Sequence, residues 1–321
     1  MKILIVQNRM GIGDMVIFLP FIEAISKKFS VPVSILVKEN SKAAQFLRDN
    51  TAIDQIIILD RSGKNKNGKH DGIIGLYNLA KDIKKFNFDK IFIFNSSLRF
   101  NLIAKFAGIK NIYQYPLFQK KNQHIINAAK TFLKKELYLE VESDPKILVN
   151  DHLIKDAKSK YNINNEEINI LLGIGGSGPT KRIPAKTFIN LMDLLSQKYK
   201  CKFFLATGKN DGEQKILLEI LDSSHKDKCH ALDILTLNEI LPIIKNCNIS
   251  ICNDSSFSHL SSGLGVKTIV LISDTPLLYG SYSPRMYPII PDGENAVTHN
   301  TLGKDRISPE KIFDQLNNIL N

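Results

Sequence analysis

The sequence predicts an α/β protein built from two halves that join at about residue 150. Short apolar runs rich in β-branched residues alternate with helical segments, as in folds with parallel sheets. This alternation restarts after residues 140–150, a stretch that contains Asp144–Pro145 and suits an interdomain linker. The length of 321 residues also favours two domains over one core. We therefore expect domains at 1–150 and 151–321.

The first half contains runs with the composition of buried parallel strands. They lie at residues 2–7, 33–37, 55–59, 90–94 and 111–115. Helical segments separate these runs, and we expect the main ones at 15–28, 73–86 and 123–138. A polar, basic segment at 61–70 contains two glycines and is predicted to be a loop.

The second half repeats this organisation. We expect its strands at residues 167–172, 202–206, 248–252 and 267–272. Thr236 and Glu239 form a capping box that opens one helix. Ser308–Pro309 starts a terminal helix that ends at Leu320, because proline is favoured at the first helical position. Whether this last helix packs back on the first domain is left open by the sequence.

The formal net charge of +11 and the pI of about 9.3 favour anionic partners. These could be nucleic acid, an anionic membrane face or a phosphorylated glycan. A scattered excess of lysine on a solvated surface explains the same charge. No RNA-binding signature with interleaved aromatic residues is present, and tryptophan is absent, so nucleic acid is not an expected partner.

The four cysteines, Cys201, Cys229, Cys247 and Cys252, form neither a C-x-x-C motif nor a zinc-binding pattern. We expect free thiols in a reducing compartment. The N-terminal segment does not have the pattern of a signal peptide, and no apolar run approaches the ~20 residues that cross a bilayer. The expected location is the cytoplasm, with peripheral association with the inner membrane left open.

A glycine-bearing turn follows the first strand and opens a helix, as in nucleotide-binding folds. Gly11 and Gly13 fit the start of the dinucleotide pattern G-x-G-x-x-G, but Val16 occupies the third glycine position. This departure argues against a dinucleotide cofactor. Asp14 has two interpretations: a helix cap, or a general base at the carboxyl end of a strand, where open α/β sheets place their chemistry.

Residues 173–184 form a glycine-rich loop after a strand of the second half. Gly175 and Gly176 allow the backbone to approach a ligand closely, and Lys181 and Arg182 add positive charge. The spacing does not match a P-loop. Anion binding is the favoured interpretation, and a tight turn with solvated lysine is the alternative.

Residues 253–265 form a second candidate anion site between two apolar runs. The polar turn is rich in hydroxyl groups, including those of Ser255 and Ser256, and it opens a short helix. A helix N-terminus carries partial positive charge and free N–H groups that suit a phosphate, and His259 lies one turn further. The alternative is a capped helix with Asp254 or Ser255 as N-cap.

These segments together resemble the family 9 glycosyltransferases, the ADP-heptose:lipopolysaccharide heptosyltransferases and their relatives. The matching pieces are Gly13–Asp14 before Leu19–Pro20, the sequence T-K-R-I-P at 180–184, residues 253–265 and the Tyr282–Pro284 loop. The resemblance spans nearly the whole chain. It implies the glycosyltransferase type B fold, with two Rossmann-like domains facing across a cleft. The N-terminal domain would bind the acceptor and the C-terminal domain the nucleotide sugar.

The resemblance also implies roles for the matching residues. Asp14, beside Gly13, would take the proton of the acceptor hydroxyl. Lys181 would neutralise the donor diphosphate with help from neighbouring loop residues, namely Gly175, Gly176, Ser177 and Thr180. The turn formed by Asp254, Ser255, Ser256 and His259 would hold the diphosphate and the adjacent sugar. The chain departs from the family pattern at Ser256, where relatives commonly carry glycine, and at Ile183, where they carry an aromatic residue.

The expected activity is therefore metal-independent, inverting glycosyl transfer, with heptose from ADP-heptose as the suggested donor. The sequence contains no D-x-D motif of the kind that binds a diphosphate through a divalent cation. No cofactor is expected beyond the nucleotide-sugar substrate. The expected acceptor is a lipopolysaccharide core or another lipid-linked or phosphorylated glycan. The alternatives are a nucleotide-sugar epimerase and a non-catalytic nucleotide-sugar-binding relative.

Overall fold

A computed structural model describes residues 1–9, 11–62, 68–117 and 124–320. The central part of the loop predicted at 61–70 and the start of the helix predicted at 123–138 lie outside the described residues. The chain divides into two compact units, Met1–Pro145 and Lys146–Asn321. Each unit is an α/β domain with its own parallel sheet.

The first unit contains a sheet of five parallel strands in the order β3-β2-β1-β4-β5 among its described residues. The strands are β1 Ile3–Gln7, β2 Val33–Val37, β3 Ile53–Ile58, β4 Lys90–Ile93 and β5 Asn111–Gln114. The helices are α1 Ile12–Phe29, α2 Ala43–Phe46, α3 Gly72–Lys84, α4 Leu98–Phe106 and α5 Ile125–Leu137.

The second unit contains a sheet of six parallel strands in the order β11-β10-β9-β6-β7-β8 among its described residues. The strands are β6 Ile168–Gly173, β7 Cys201–Ala206, β8 Cys229–Ala231, β9 Ile249–Asn253, β10 Thr268–Leu271 and β11 Met286–Ile289. The helices are α6 Asp151–Lys160, α7 Ala185–Lys198, α8 Asp211–Leu221, α9 Leu237–Lys245, α10 Ser256–Gly263 and α11 Pro309–Leu320.

Both sheets are covered by apolar helix faces, which explains why central strands such as β1 and β9 are buried along their whole length. In the first unit Leu4 and Val6 pack with Leu79 of α3 and Phe100 of α4. In the second unit the buried Phe188 of α7 belongs to the core formed by strands β6, β7, β9 and β10. This packing fixes the carboxyl ends of the strands, from which the functional loops emerge.

The unit boundary lies at Pro145–Lys146 rather than at about residue 150. Ile147 already belongs to the second unit, because its side chain is buried and its N–H donates to the Gly263 carbonyl at 2.7 Å. The terminal helix α11 packs against α7 and against β10 and β11 of the same unit.

Two edge strands, β8 and β11, were not predicted from the sequence. Both are short, and their sequences, C-H-A and M-Y-P-I, lack the β-branched residues that marked the other strands, with only Ile289 as an exception. Pro288 is tolerated in β11 because this strand lies at the edge of the sheet. Among the described residues, none of the helices combines the length and hydropathy that a membrane-spanning segment requires.

Substitution of Gly173 tests the close contact between β6 and β9. We expect Gly173→Ala to lower the melting temperature by several degrees, because its Cβ would lie 2.6 Å from Sγ of Cys252, and overpacking costs about 1–3 kcal/mol. Thermal unfolding followed by circular dichroism measures this change. Gly178→Ala is the control, since no atom of the described residues, apart from its chain neighbours, lies within 4 Å of its added methyl. Equal melting temperatures for the two variants would contradict the packing argument.

Candidate active site

The two predicted anion loops meet at the carboxyl edge of the second sheet. They follow β6 and β9, which are hydrogen-bonded neighbours. Asn253, the last residue of β9, is fully buried, and its Nδ2 donates to the carbonyls of Ile174 at 2.8 Å and Gly175 at 3.2 Å. The Asn253 side chain, which precedes the second loop, therefore holds the backbone of the glycine-rich loop in place.

A buried carboxylate holds the glycine-rich loop from its other side. Oε1 of Glu213, on α8, accepts a hydrogen bond from the Gly176 N–H at 2.7 Å. A Cβ at Gly175 would lie 2.5 Å from the same oxygen, so a side chain at this position would displace the Glu213 carboxylate from its hydrogen bond. Nε of Arg182 donates to the Gly176 carbonyl at 2.9 Å and closes the loop.

Lys181 and Asp254 form an ion pair that joins the two loops. Nζ of Lys181 lies 2.7 Å from Oδ2 of Asp254, which also accepts a hydrogen bond from Oγ1 of Thr275 at 2.6 Å. The Asp254 side chain is 5% exposed and that of Lys181 is 24% exposed. The carboxylate is thus buried, whereas the Lys181 side chain is partly exposed to solvent.

The environment of Asp254 favours its ionised form. Burial acts to raise the pKa of this carboxyl group, but the positive charge of Lys181, the neighbouring His259 and the hydrogen bonds from Lys181 and Thr275 outweigh burial. The pKa of Asp254 is therefore lower than its ordinary value. A charged Asp254 is what keeps Lys181 in place.

His259 lies on α10, next to this pair. Its Nε2 is 4.0 Å from Oδ1 of Asp254, and its Nδ1 is hydrogen-bonded to the Tyr282 hydroxyl at 2.9 Å. The two rings also stack, with centroids 5.6 Å apart. Tyr282 belongs to the Tyr282–Pro284 loop that resembles the family pattern. Through this hydrogen bond the loop fixes the orientation of the His259 imidazole ring.

The N-terminus of α10 begins at Ser256, with Ser255 in the N-cap position. Neither Asp254 nor Ser255 caps this helix with its side chain: Asp254 pairs with Lys181, and Ser255 makes no side-chain cap hydrogen bond. Oγ of Ser255 is buried without a hydrogen-bond partner among the described residues. The first N–H groups of the helix thus retain their capacity to bind an anion.

Ser177 and Thr180, the remaining predicted residues of the glycine-rich loop, differ in exposure. Ser177 is exposed, and Thr180 is half-buried. The carbonyl of Thr180 accepts a hydrogen bond from Oγ of Ser273 at 2.9 Å, which connects the loop to the end of β10. Thr180 therefore helps to position the neighbouring Lys181.

Asp14 lies in the first unit, in the first turn of α1. The helix begins earlier than the sequence suggested, so Gly13 is also helical. Oδ2 of Asp14 accepts a hydrogen bond from the Gly11 N–H at 3.3 Å, and Oδ1 lies 2.9 Å from Nε of Arg9. The side chain is 23% exposed. Asp14 thus has contacts of a helix cap and also remains accessible to solvent.

An open cavity of about 640 Å³ lies at the carboxyl edge of the first sheet. The residues that line it include Phe18, Phe94 and Phe132 on the apolar side and Asn8, Arg9 and Asn95 on the polar side. Burial raises the pKa of Tyr115, another lining residue, and the charge of Arg9 acts in the opposite direction. Arg9 therefore connects the cavity to the Asp14 carboxylate.

Sequence reasoning did not assign several residues that build these sites. Thr275 and Asn253 contact the loops directly, Glu213 supports the glycine-rich loop, and Arg9 pairs with Asp14. Thr275 and Asn253 were detectable in principle, because polar residues at carboxyl ends of neighbouring parallel strands meet at one edge. Glu213 carried no such signal. Among the described residues, no group of three or more histidine, cysteine, aspartate or glutamate side chains has the geometry of a metal site.

A family comparison decides the classification. The family described as Glycosyltransferase family 9 (heptosyltransferase) matches residues 76–305, which is more than half of the chain. The chain belongs to this family. It is therefore a glycosyltransferase, and the match includes the glycine-rich loop, the Lys181–Asp254 pair and the Tyr282 loop.

Individual relatives extend the similarity over nearly the whole chain. The lipopolysaccharide heptosyltransferase 1 of Campylobacter coli is 23% identical and covers 95% of this chain and 93% of its own length. The crystal structure of a family 9 glycosyltransferase from Veillonella parvula superposes with a TM-score of 0.79 at 19% identity, covering 99% of this chain and 97% of the other. The ADP-heptose lps heptosyltransferase II of E. coli gives a TM-score of 0.75 at 16% identity, with coverages of 100% and 98%. The fold is thus the glycosyltransferase type B fold.

Structures with another chemistry share this fold at lower similarity. The UDP-GlcNAc 2-epimerase of Neisseria meningitidis has a TM-score of 0.52 at 13% identity, covering 100% of this chain and 91% of the other. The epimerase structure is therefore less similar to this fold than the family 9 structures are.

Asp254→Asn tests the ion pair through its pH dependence. The variant should lose about 1–3 kcal/mol of stability at neutral pH, because it leaves Lys181 without its charged acceptor. The pKa of Asp254 is lower in the folded than in the unfolded protein. The stabilisation is therefore present above the ordinary aspartate pKa of about 3.9 and is lost as the pH falls through the lower folded value. Thermal unfolding between neutral and acidic pH should show the deficit shrinking below about pH 4.

Asp156→Asn is the matched control, because this carboxylate is 59% exposed and pairs with the exposed His152. The control should change stability by less than about 0.5 kcal/mol at either pH. A deficit in Asp254→Asn that persists unchanged in acid would contradict the charge-based explanation.

Proposed function

We propose that this glycosyltransferase is metal-independent and inverting, and that it transfers heptose from ADP-heptose to a lipopolysaccharide-core or related glycan acceptor. The observation that carries the proposal is the partly exposed Lys181 side chain, whose ammonium group is held by the buried Asp254 beside the N-terminus of α10. A diphosphate leaving group gains negative charge in the transition state, and preorganised cations and N–H groups stabilise such charge.

We assign donor binding to the second unit. Lys181 would contact the diphosphate, and the N–H groups at the start of α10 would complete its coordination with the hydroxyl groups of Ser255 and Ser256. His259, oriented by Tyr282, would face the diphosphate or the adjacent sugar. Gly175 and Gly176 keep the loop close to the sheet edge, while Ser177 and Thr180 frame Lys181. These roles need no cofactor.

We assign acceptor binding to the first unit and the role of general base to Asp14. The acceptor oxygen would attack the anomeric carbon while its proton passes to the Asp14 carboxylate and the bond to the diphosphate breaks. A single displacement of this kind inverts the configuration at the anomeric carbon. Two hydrogen bonds orient the Asp14 carboxylate: Nε of Arg9 donates to Oδ1, and the Gly11 N–H donates to Oδ2.

The identities of donor and acceptor are supported by the relatives. The matched proteins are named lipopolysaccharide and ADP-heptose heptosyltransferases. The net charge of +11 suits a phosphorylated acceptor. A lipid-linked acceptor places the reaction at the inner face of the cytoplasmic membrane, where the protein would act as a peripheral enzyme. The missing D-x-D motif supports the metal-independent reaction, and unchanged turnover in EDTA tests it.

Asp14→Asn tests both the proposed heptose transfer and the proposed role of Asp14 as general base. We expect kcat for heptose transfer from ADP-heptose to a deacylated core acceptor to fall about 10²–10⁴-fold, because amide groups do not accept the proton. The affinity for ADP should stay within about twofold, since donor binding is assigned elsewhere. Chromatographic detection of the heptosylated product and calorimetry with ADP provide the two measurements.

The exposed Asp49→Asn in the same unit is the control and should retain full turnover. Undiminished transfer by Asp14→Asn would refute the base assignment. Incubation of the wild-type enzyme with nucleotide sugar alone separates the alternatives. Conversion of the sugar without acceptor would indicate an epimerase, and donor binding without any transfer would indicate a non-catalytic relative.

Lys181→Met tests diphosphate binding. We expect the Kd for ADP to increase about 10–100-fold, because a charge-assisted hydrogen bond to phosphate contributes roughly 1.5–3 kcal/mol. Lys181→Arg keeps the charge and should lose less affinity. A thermal-shift screen should show ADP stabilising the wild-type protein more than UDP or GDP. Equal ADP affinity in Lys181→Met and wild type would exclude Lys181 from the phosphate site.

A further inference from the structure

The outward face of α3 carries large apolar side chains where a surface helix normally carries polar ones. Ile73 is 79% exposed, Ile74 is 77% exposed and Tyr77 is 56% exposed. The opposite face of α3 is buried through Leu79 and Ile83. The exposed residues therefore do not belong to the core of the first unit, and they form an apolar patch at the start of the helix.

The neighbouring helix α4 extends this patch. Phe106, the last residue of α4, is 50% exposed and stacks on Tyr77 with ring centroids 5.2 Å apart. The two aromatic rings pack against each other, and about half of each side chain remains exposed. We name the set Ile73, Ile74, Tyr77 and Phe106 the α3–α4 surface.

Positive charge surrounds this surface. Lys81 and Lys84 follow Tyr77 on α3, and at 3.6 residues per turn they share an arc of about 100° with Ile73 and Ile74. Both lysines are exposed, as is Lys105 beside Phe106. The acidic residue of α3, Asp82, lies outside the arc and is paired with Lys69 and Lys85. The arc itself carries only apolar, aromatic and basic side chains.

We propose that the α3–α4 surface docks onto an anionic lipid bilayer. Apolar and aromatic side chains next to lysines on one helix face are the composition with which interfacial helices insert into the headgroup region of anionic membranes. The lysines match the negative surface potential of such a membrane. The Tyr77 ring suits the membrane interface, because its body is apolar and its hydroxyl group can stay in water, and Phe106 adds apolar area beside it.

The location of this surface agrees with a lipid-linked acceptor. α3 begins beside α4, because Arg99, in the first turn of α4, donates hydrogen bonds to the carbonyls of Gly72 and His70 at 2.6 Å. Both helix starts lie at the carboxyl edge of the sheet, the edge at which α1 carries Asp14. Docking through Ile73 and Ile74 would bring this edge close to the bilayer. This benefit for the reaction rests on the proposed function, whereas membrane binding itself does not.

Vesicle co-sedimentation of the full-length protein tests the proposal. The wild type should bind vesicles of phosphatidylglycerol and phosphatidylcholine and should release them at high salt, with little binding to phosphatidylcholine alone. Ile73→Gln/Ile74→Gln should reduce the partition coefficient about tenfold. Lys81→Gln/Lys84→Gln should reduce binding to the anionic vesicles and weaken its salt dependence.

Matched controls come from the second unit. Ile234→Gln changes an isoleucine that is 78% exposed, and Lys155→Gln/Lys158→Gln removes the same charge from the exposed face of α6. These variants should bind like the wild type. Equal losses in the α6 and α3 lysine variants would mean that net charge alone drives binding, and would overturn the proposal.

Two further outcomes separate the alternatives. The oligomeric state, measured by light scattering, should not change in Ile73→Gln/Ile74→Gln. A wild-type dimer that this variant dissociates would identify the surface as a contact between two copies and overturn the membrane proposal. Transfer to a soluble, deacylated acceptor should be unaffected by the α3 variants. Membrane binding without any transfer would refute the proposed function alone.

Discussion

The candidate donor site depends on one buried charge. Asp254 keeps its carboxylate ionised inside the second unit because Lys181, His259 and Thr275 compensate for the loss of water. Leaving such a carboxylate unpaired in the interior would be strongly destabilising, so its partners are fixed as firmly as the core. The ammonium group of Lys181 is thus positioned by the folding free energy of the unit before any ligand arrives. This is the preorganisation that the proposed stabilisation of a leaving group requires.

Most of the fold was predictable from the sequence because both sheets are parallel and buried. The short apolar runs that became β1, β2, β6 and β9 have the length and composition typical of strands in a covered sheet. The edge strands β8 and β11 were not predictable in this way, because an edge strand is only partly covered and its sequence can contain polar residues and proline. The start of α1 was also placed too late, since Gly13 is a weak helix former that the first turn nevertheless accommodates.

For the site, the sequence indicated which segments take part but not how their side chains pair. The loops around Lys181 and Asp254 carried recognisable composition and a family resemblance. The pairing of these two residues depends on β6 and β9 being neighbours, which no local pattern encodes. Glu213 illustrates the same limit: it lies on an ordinary amphipathic helix, and only the tertiary structure directs its carboxylate to the Gly176 N–H. Long-range hydrogen bonds of this kind are set by topology rather than by sequence spacing.

The side chains that hold the two loops of the candidate donor site have a consequence for the evolution of this enzyme. Asn253, Glu213, Ser273 and Thr275 all belong to the half of the chain that carries Lys181, and they secure the two loops of the candidate donor site. A gene rearrangement that exchanged the N-terminal half would leave these hydrogen bonds intact. Under the proposed assignment, donor recognition would then be inherited as a module while the acceptor range diversified by recombination.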